Sequence, residues 1–417
     1  MKKLVALVFL VPAMAMAQKE IKPNLSKAEG AWKANKLDEA KAIIDVSVAS
    51  QEFMVDAKKG VPSKNAAKAW YLKGVIYAAL DSTKNPKFQA LSANAFDESK
   101  AAFEKSKEID QGKSKGFVNL PDAALGGFER QYTFEEVNSA LSNAYFNRSL
   151  RFYEDDRDYG KAFTYINHAM YFSPADTFKM RIAGVYFGPA AKEFEKSVGF
   201  LENYLKAGGT MKEAYQQLIA LYSTQKKSEE ALAVIRKAKE KYPDETEFSQ
   251  SEIAILYDMG RLPEARTSIE KKIATGGADR STYYNLGFIC NKMKDMDCAK
   301  KAFKDAIKLD GEDFDSYAML ADISYKEVGE LRKERGAITG SSDADLKKRK
   351  DLFGKIGEKL RESLPYWEKC YQLKGTDENV LYGLLSVYGD LYAYDEAYGP
   401  KMETLKKKMK GMGLEVD

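Results

Sequence analysis

Residues 281–311 read STYYNLGFICNKMKDMDCAKKAFKDAIKLDG, and this stretch predicts two helices folded back on each other. The first half carries its apolar stripe at Tyr283, Leu286, Gly287 and Cys290, and the second half at Met296, Ala299, Phe303 and Ala306. Each helix has one such stripe, which it cannot bury alone. Small residues at Gly287 and Ala299 let the two backbones approach closely, while Tyr283 and Phe303 fill the space on either side. The stretch therefore predicts a helical hairpin that needs neighbours of its own kind.

The order of these residues resembles the tetratricopeptide repeat, a family whose units are helical hairpins stacked side by side. The pattern is an aromatic residue, then Leu-Gly, then Ala, Phe and Ala, closed by a turn residue. It recurs clearly in the segment that ends at Pro174 and between Lys212 and Pro243, and weakly over most of residues 21–410. The resemblance implies an all-α, right-handed superhelical solenoid of about eight or nine tetratricopeptide-like hairpins.

The pattern divides the chain into four parts. A signal peptide at residues 1–17 precedes an irregular region with loop insertions at 18–135, a regular solenoid at 136–313, and C-terminal repeats with a long insertion at 314–417. Within the irregular region, residues 111–134 have no sustained helical period but are apolar enough to bury. We expect an ordered loop packed on the solenoid. Its apolar residues are Phe117, Val118, Leu120, Leu125 and Phe128.

The long insertion, at about residues 327–362, is highly charged and is broken by glycine and serine between Gly336 and Ser342. Apolar residues at helical spacing favour an antiparallel helical finger that projects from the stack, and a flexible charged loop is the alternative. Asp343 is the candidate cap of the returning helix, because a short acidic side chain can accept hydrogen bonds from free backbone amides. The periodic apolar residues are Leu331, Leu346, Leu352, Phe353, Ile356 and Leu360.

The first seventeen residues have the features of an export signal. Lys2 and Lys3 form a basic start, an apolar run follows, and Ala15-Met16-Ala17 is a cleavage motif. An uncleaved anchor is the alternative. With Gln18 as the first mature residue, the chain is similar to exported proteins of the Bacteroidota. We therefore expect a periplasmic protein, peripherally associated with an outer-membrane complex, and no other stretch is long and apolar enough to span a membrane.

Composition and motifs argue against several classes of function. Lys and Arg (66) nearly balance Asp and Glu (62) along the chain, so no basic surface for nucleic acid is predicted. The single histidine, His168, has no partners in a metal or triad motif, and no glycine-rich phosphate loop is present. The sequence predicts no catalytic residue, metal or cofactor. Cys290 and Cys298 lie symmetrically about a turn, where they form either a disulfide or two free thiols.

In the resembled family, the first helices of the hairpins line a concave groove that binds peptide segments. The positions left facing inward by the buried stripe are Asn147, Arg151, Glu154, Gln216, Ser223, Tyr284, Phe288 and Asn291. Tyr284 and Phe288 are candidate anchors, or they pack on the next unit. Asn147 and Arg151 stand where a carboxylate clamp has Lys and Asn, so capture of a C-terminal carboxylate is not supported.

Together these features predict a non-catalytic scaffold or adaptor that binds an envelope protein or peptide segment in the groove. The partner is expected among outer-membrane secretion, assembly or motility components. A glycan- or peptidoglycan-binding solenoid is the alternative, because the chain has 25 Tyr and 21 Phe, and sugars stack on aromatic faces.

Overall fold

The computed structural model describes residues 21–416, so the predicted signal peptide at 1–17 lies outside the described residues. The chain forms two compact units, which divide between Leu221 and Tyr222. We call them unit 1 and unit 2. The residues of each unit pack mostly among themselves. The predicted boundaries at 135 and 313 come from the repeat pattern in the sequence, which this division does not test, so they stay predictions.

Unit 1 consists of helices joined by short turns, with two small β-hairpins. Its last helix, α12 (Lys212–Thr224), runs across the division between the units. The strands are β1 (Val55–Asp56), β2 (Val61–Pro62), β3 (Val118–Pro121) and β4 (Glu129–Tyr132). The other helices are α1 (Leu25–Lys33), α2 (Leu37–Ala49), α3 (Gln51–Met54), α4 (Ala66–Ser82), α5 (Pro86–Gln89), α6 (Ala95–Asp110), α7 (Phe134–Glu154), α8 (Tyr159–Phe172), α9 (Thr177–Ile182), α10 (Gly188–Ala190) and α11 (Phe194–Lys206).

The described residues of unit 2 form helices joined by turns, with no strand. Its helices are α13 (Ser228–Lys241), α14 (Thr246–Asp258), α15 (Leu262–Ala274), α16 (Arg280–Lys292), α17 (Met296–Leu309), α18 (Phe314–Gly336), α19 (Asp343–Leu373), α20 (Glu378–Tyr392) and α21 (Tyr398–Gly411). The two longest helices described, α18 and α19, form its last hairpin but one.

Helices close in the chain pack as hairpins, among them α7 with α8, α16 with α17, α18 with α19, and α4 with α6 across the short helix α5. In two of these hairpins, a glycine of one helix lies against a phenylalanine ring of the other, so the two helices approach closely. A Cβ on Gly287 would lie 2.7 Å from the Phe303 ring, and a Cβ on Gly74 would lie 2.9 Å from the Phe103 ring. The predicted close approach at Gly287 is therefore confirmed, and so is the prediction of an all-α helical solenoid.

The 111–134 segment differs from the expected loop because it contains a β-hairpin. Strands β3 and β4 pair antiparallel, with Val118 opposite Tyr132, and Val118 is fully buried. The expectation that all its apolar residues are buried is wrong for Leu125 and Phe128, which are 50% and 78% exposed. Both flank the tip glycines, which adopt left-handed backbone conformations and turn the chain away from the core.

The predicted finger is a helical hairpin rather than a loop. Helix α18 has 23 residues and α19 has 31. The cap of α19 is Ser342, not Asp343: the Ser342 hydroxyl accepts from the amide of Asp345, whose carboxylate accepts from the amide of Ser342. Ser342 and Asp343 are neighbours and both residue types can cap a helix, so the sequence alone could not decide between them. The turn from Gly336 to Ser342 is largely exposed.

This long hairpin is packed along much of its length against the last hairpin of unit 2. Buried residues of α18, α19, α20 and α21 form one apolar cluster. Tyr394, in the turn between α20 and α21, stacks on Phe353 with ring centroids 4.2 Å apart and donates a hydrogen bond to the Phe353 carbonyl. Arg332 pairs with Asp390 at 2.5 Å. The last hairpin therefore holds the long hairpin well beyond its base, up to Arg332 and Phe353, and mainly the outer turn is free.

Candidate functional site

The predicted groove positions fall on three helices. Asn147, Arg151 and Glu154 lie on α7 in unit 1, at the i, i+4, i+7 spacing of one helix face. Gln216 and Ser223 lie on α12, and Tyr284, Phe288 and Asn291 share one face of α16 in unit 2. The structure thus places each set of residues on a single helix. The role of these residues in binding stays a prediction. Asn291 of the set on α16 borders a cleft, so we describe this helix in detail.

Helix α16 is positioned by its N-terminal cap, Asp279. The Asp279 carboxylate accepts hydrogen bonds from the amide and the hydroxyl of Thr282 at 2.8 and 2.6 Å. Burial alone would raise the pKa of this carboxyl, but the hydrogen bonds from Thr282 hold it at about 2. A charged cap is also favoured at a helix N-terminus, where backbone amides are unpaired. The start of α16 is thereby fixed.

The two candidate anchors, Tyr284 and Phe288, are half-buried and already touch other rings. The Phe288 ring lies 5.4 Å from the Tyr257 ring of α14, and the ammonium of Lys292 lies over both. The Tyr284 ring lies 5.6 Å from Phe303, and burial raises the pKa of its hydroxyl. Phe288 thus packs on α14, two helices earlier in the chain, and Tyr284 on its own hairpin.

Asn291, at the end of this helix face, borders a cleft of about 460 Å³ between α16, α17, α18 and α19. Its apolar floor includes Ile323, which is buried, and Leu331, which is half-buried. Charged side chains of α18 and α19 form its walls. We call this cleft the unit-2 groove, and define it by Asn291, Met296, Ile323, Lys326, Glu327, Glu330, Leu331 and Lys359.

A network of four charges supports one wall of the unit-2 groove. The Glu327 carboxylate lies 2.6 Å from the Lys300 ammonium and 3.1 Å from that of Lys359, which also contacts Glu362 at 2.7 Å. The hydrogen bond between Lys359 and Glu362 lowers the pKa of the carboxyl and raises that of the ammonium. Both groups are therefore charged at neutral pH.

One oxygen in this wall, the buried Oε2 of Glu327, accepts no well-aligned hydrogen bond within residues 21–416. It lies 3.1 Å from the Lys359 ammonium and is therefore ion-paired. A carboxylate oxygen can accept more than one hydrogen bond, so this one can take a further donor. The unit-2 groove therefore presents a partly used acceptor beside an apolar floor.

Cys290 and Cys298, in hairpin α16–α17, are joined by a disulfide, with their Cα atoms 5.8 Å apart. Asp295, in the turn between them, accepts from the amide of Cys298 and from the Arg266 guanidinium, and these two contacts lower the pKa of its carboxyl. In the described chain these three residues are the one set whose ligand atoms could converge on a metal. Both sulfurs belong to the disulfide, so neither is a thiolate ligand.

The single histidine is accounted for by packing in unit 1. The His168 ring stacks on Phe96, with centroids 3.4 Å apart, and its Nδ1 lies 3.1 Å from the Asp81 carboxylate. These contacts hold the imidazole between α8, α4 and α6. They give the His168 side chain a structural role.

The groove residues that the sequence did not single out lie in the long hairpin. Lys326, Glu327 and Glu330 share the face of α18 that its buried stripe leaves open, and Lys359 comes from α19. The spacing of the first three at i, i+1 and i+4 was a usable signal. The contribution of Lys359 depends on how α19 returns along α18, which only the folded hairpin shows.

No helix within residues 21–416 is both long and apolar enough to cross a membrane.

Comparison with known proteins supports the repeat at one place in the chain. No curated protein matches the chain. Among solved structures, a tetratricopeptide-repeat protein from Bacteroides fragilis is 12% identical, over 60% of this chain and 98% of that one, with a TM-score of 0.33. The C-terminal part of a tetratricopeptide-repeat protein from Cytophaga hutchinsonii is 14% identical, over 57% and 99%, with a TM-score of 0.36.

A third structure, of PilF from Pseudomonas aeruginosa, is 16% identical over 55% of this chain and 93% of that one, with a TM-score of 0.34. The family model described as tetratricopeptide repeat matches residues 281–313, which form hairpin α16–α17 beside the unit-2 groove. The resemblance to tetratricopeptide-repeat proteins, a family of protein-interaction scaffolds, is thereby confirmed, and the chain contains a tetratricopeptide repeat at residues 281–313.

Proposed function

We propose that this chain is a non-catalytic scaffold whose unit-2 groove binds a peptide segment of a partner protein. The observation that carries the proposal is a cleft of about 460 Å³ beside a tetratricopeptide repeat, with an apolar floor and a charged wall that contains the buried Glu327 Oε2. That oxygen is ion-paired with Lys359, and it can still accept a hydrogen bond from a backbone N–H of a bound peptide.

The rest of the unit-2 groove suits a peptide with an apolar side chain near that N–H. Met296, Ile323 and Leu331 offer an apolar floor, while Lys326 and Glu330 offer charges of both signs at the rim. Such a pattern, an apolar centre with a polar edge, is typical of protein interfaces. The adjacent rings of Tyr257 and Phe288 extend the apolar surface along α14 and α16.

We place this scaffold in the periplasm of a bacterial envelope, with an outer-membrane secretion, assembly or motility component as its partner. Two features support the location. Residues 1–17 have the order of a cleavable signal peptide, and a disulfide joins Cys290 and Cys298. Disulfides persist mainly in oxidising compartments such as the periplasm. Mass spectrometry of the native protein tests the export: a mature chain starting at Gln18 supports it, and an intact Met1 or Lys2 contradicts it.

A glycan-binding function has less support from the aromatic residues. Most described Tyr and Phe side chains are buried or half-buried in ring clusters, for example Tyr145, Phe103 and Phe172 in unit 1. Sugars need rings with an open face. A glycan array with the mature protein discriminates the two functions.

Site-specific crosslinking tests the partner proposal. A photo-crosslinking amino acid at position 326, on the groove rim, is compared in intact cells with one at position 308, an exposed lysine of α17 outside the groove definition. We expect a protein adduct from position 326 and none from position 308. Adducts of equal yield from both positions, or from neither, would contradict a groove-bound partner.

A pair of matched substitutions then measures the contribution of the groove. Leu331→Arg places a charge on the apolar floor, whereas Leu309→Arg places the same charge on an exposed site. We expect L331R to reduce recovery of the crosslinked partner at least about tenfold, because one buried charge costs more than 1.4 kcal/mol. Lys326→Glu, at an exposed rim position, serves as a second variant that leaves the core intact. Retention of the partner by both L331R and K326E overturns the proposal.

A further inference from the structure

A second cleft lies in unit 1, away from the groove positions on α7. It has a volume of about 580 Å³ and is bordered by α4, α6, α7, α8 and the segment before α7. Pockets for small molecules usually measure roughly 300–1,000 Å³. We call this space the aromatic cleft.

Five rings from four helices line the aromatic cleft. They belong to Tyr71, Phe103, Phe134, Tyr171 and Phe172. Tyr71 holds the cluster together: its ring lies 5.1 Å from Phe103, edge-on, and 5.0 Å from Phe134. Rings fixed in different planes can contact both the face and the edge of another aromatic ring, which is how aromatic groups prefer to pack.

One polar atom of this cluster has no partner. Tyr71 is 5% exposed, and its hydroxyl makes no hydrogen bond within the described residues. Burial raises the pKa of this hydroxyl, so it stays protonated and able to donate. Most buried hydroxyls are paired, and an unpaired one costs about 1–3 kcal/mol. An acceptor on a ligand in the cleft would satisfy it.

The rim of the aromatic cleft carries one charge of each sign on α6. Glu104 and Lys107 are both exposed and line the cleft. Residues three apart on a helix often pair with each other. Here neither forms an ion pair with the other or with any other residue described, whereas Asp110, one turn further, is occupied by Ser114. The two charges are thus available to a ligand that carries both an ammonium and a carboxylate.

We propose that the aromatic cleft binds a small zwitterion with an aromatic ring, that is, an aromatic amino acid or dipeptide. The ring would lie among the five side-chain rings, the ammonium beside Glu104 and the carboxylate beside Lys107. An acceptor atom of the ligand would pair with the Tyr71 hydroxyl. This site is independent of the partner groove in unit 2.

Calorimetric titration of the mature chain with four probes tests the ligand class. We expect L-tryptophan to bind, tryptamine (no carboxylate) and indole-3-propionate (no ammonium) to bind about tenfold more weakly, and L-leucine not to bind. The tenfold difference corresponds to one charge-assisted contact of about 1.4 kcal/mol. Equal binding of leucine and tryptophan, or no binding of tryptophan at millimolar concentration, overturns the proposal.

Surface variants of α6 then assign the two charges. Lys107→Gln should weaken L-tryptophan about tenfold and leave tryptamine unchanged, while Glu104→Gln should weaken L-tryptophan and leave indole-3-propionate unchanged. Lys105→Gln is the matched control, because Lys105 pairs with Glu108 and does not line the cleft. Tyr71→Phe should weaken binding without lowering stability, since its hydroxyl has no partner to lose. Unchanged affinity in both K107Q and E104Q contradicts the proposed site.

Discussion

At the scale of single residues, the hairpins depend on a small residue facing a large one. Gly287 faces Phe303, and Gly74 faces Phe103 in the same arrangement. In both pairs the phenylalanine ring occupies the volume that a Cβ would need. This explains why one residue with no side chain recurs in helices that would otherwise favour alanine.

We expect Gly287→Ala to destabilise unit 2 by about 1–3 kcal/mol, because the added methyl would lie 2.7 Å from the fully buried Phe303 ring. Chemical denaturation measures the change. The control is Gly329→Ala in the middle of α18, where nothing lies within 4 Å of the new Cβ. That variant should be neutral or up to about 1 kcal/mol more stable, since alanine favours the helix. Equal destabilisation by both would mean that packing on Phe303 is not the cause.

Asp279 gives unit 2 a pH dependence at the same scale. Its folded-state pKa of about 2 lies below the value of about 3.9 for an unfolded aspartate. A depressed carboxyl pKa stabilises the fold fully above the unfolded value, and that stability is lost as the pH falls from about 4 through about 2. Asp279→Ala should cost about 1 kcal/mol at pH 7 through loss of the cap.

Asp279→Asn separates the cap from the charge. An asparagine caps a helix nearly as well as an aspartate but carries no charge, so at pH 7 D279N should keep the contribution of the cap and lose the stability that comes from the charge. D279N should also lose less stability than the unchanged protein when the pH falls from 7 to 2.5, because position 279 no longer takes up a proton. Denaturation of D279N and the unchanged protein at pH 7 and pH 2.5 measures both effects. An identical acid-induced loss in the two proteins would show that Asp279 does not titrate as described.

At the scale of elements, the long hairpin α18–α19 is held by the turn that follows α20. Tyr394 stacks on Phe353 and would collide with a Cβ on Gly357, so α19 passes close to this ring. Its hydroxyl also donates to the Phe353 carbonyl at 3.0 Å. One side chain thus fixes both the distance and the register between α19 and the last hairpin.

We expect Tyr394→Ala to cost about 2 kcal/mol, less than a fully buried aromatic, because the ring is only half-buried. Hydrogen exchange should speed up along α19 near Phe353 and Gly357, and stay unchanged in α16 and α17. Tyr392→Ala is the control, because Tyr392 is 48% exposed and its change should stay within about 0.5 kcal/mol. Faster exchange in α16 as well would contradict a local role for Tyr394.

The same elements show how far the sequence could predict the structure. Apolar spacing was sufficient for α16, α17 and both arms of the long hairpin, because a 3.6-residue period needs no knowledge of partners. It missed β3 and β4, whose four-residue strands are too short to show alternation and are stabilised by tertiary contacts of Phe117 and Val118. The charged wall of the unit-2 groove was also missed. Its position follows from the packing of α19 along α18, which local pattern does not specify.

At the scale of the whole molecule, each unit contains its own buried clusters. Those of unit 1 lie between Leu25 and Phe200, and those of unit 2 between Tyr284 and Val416. In repeat proteins, stability comes mainly from each repeat and its immediate neighbours. A local change should therefore have an effect that decreases with distance along the chain.

The disulfide between Cys290 and Cys298 tests this locality. It closes a short loop in hairpin α16–α17, so its removal should cost on the order of 2 kcal/mol in the chain-entropy account. In the double variant Cys290→Ala, Cys298→Ala, hydrogen exchange should increase most in α16 and α17 and less in α18. It should stay unchanged in α4 and α6, whose buried neighbours belong to unit 1. Adding reductant to the double variant should change nothing further, since Cys370 is a buried free thiol. An equal increase in α4 and α16 would mean that the two units unfold as one cooperative body, and that local packing does not set stability along this chain.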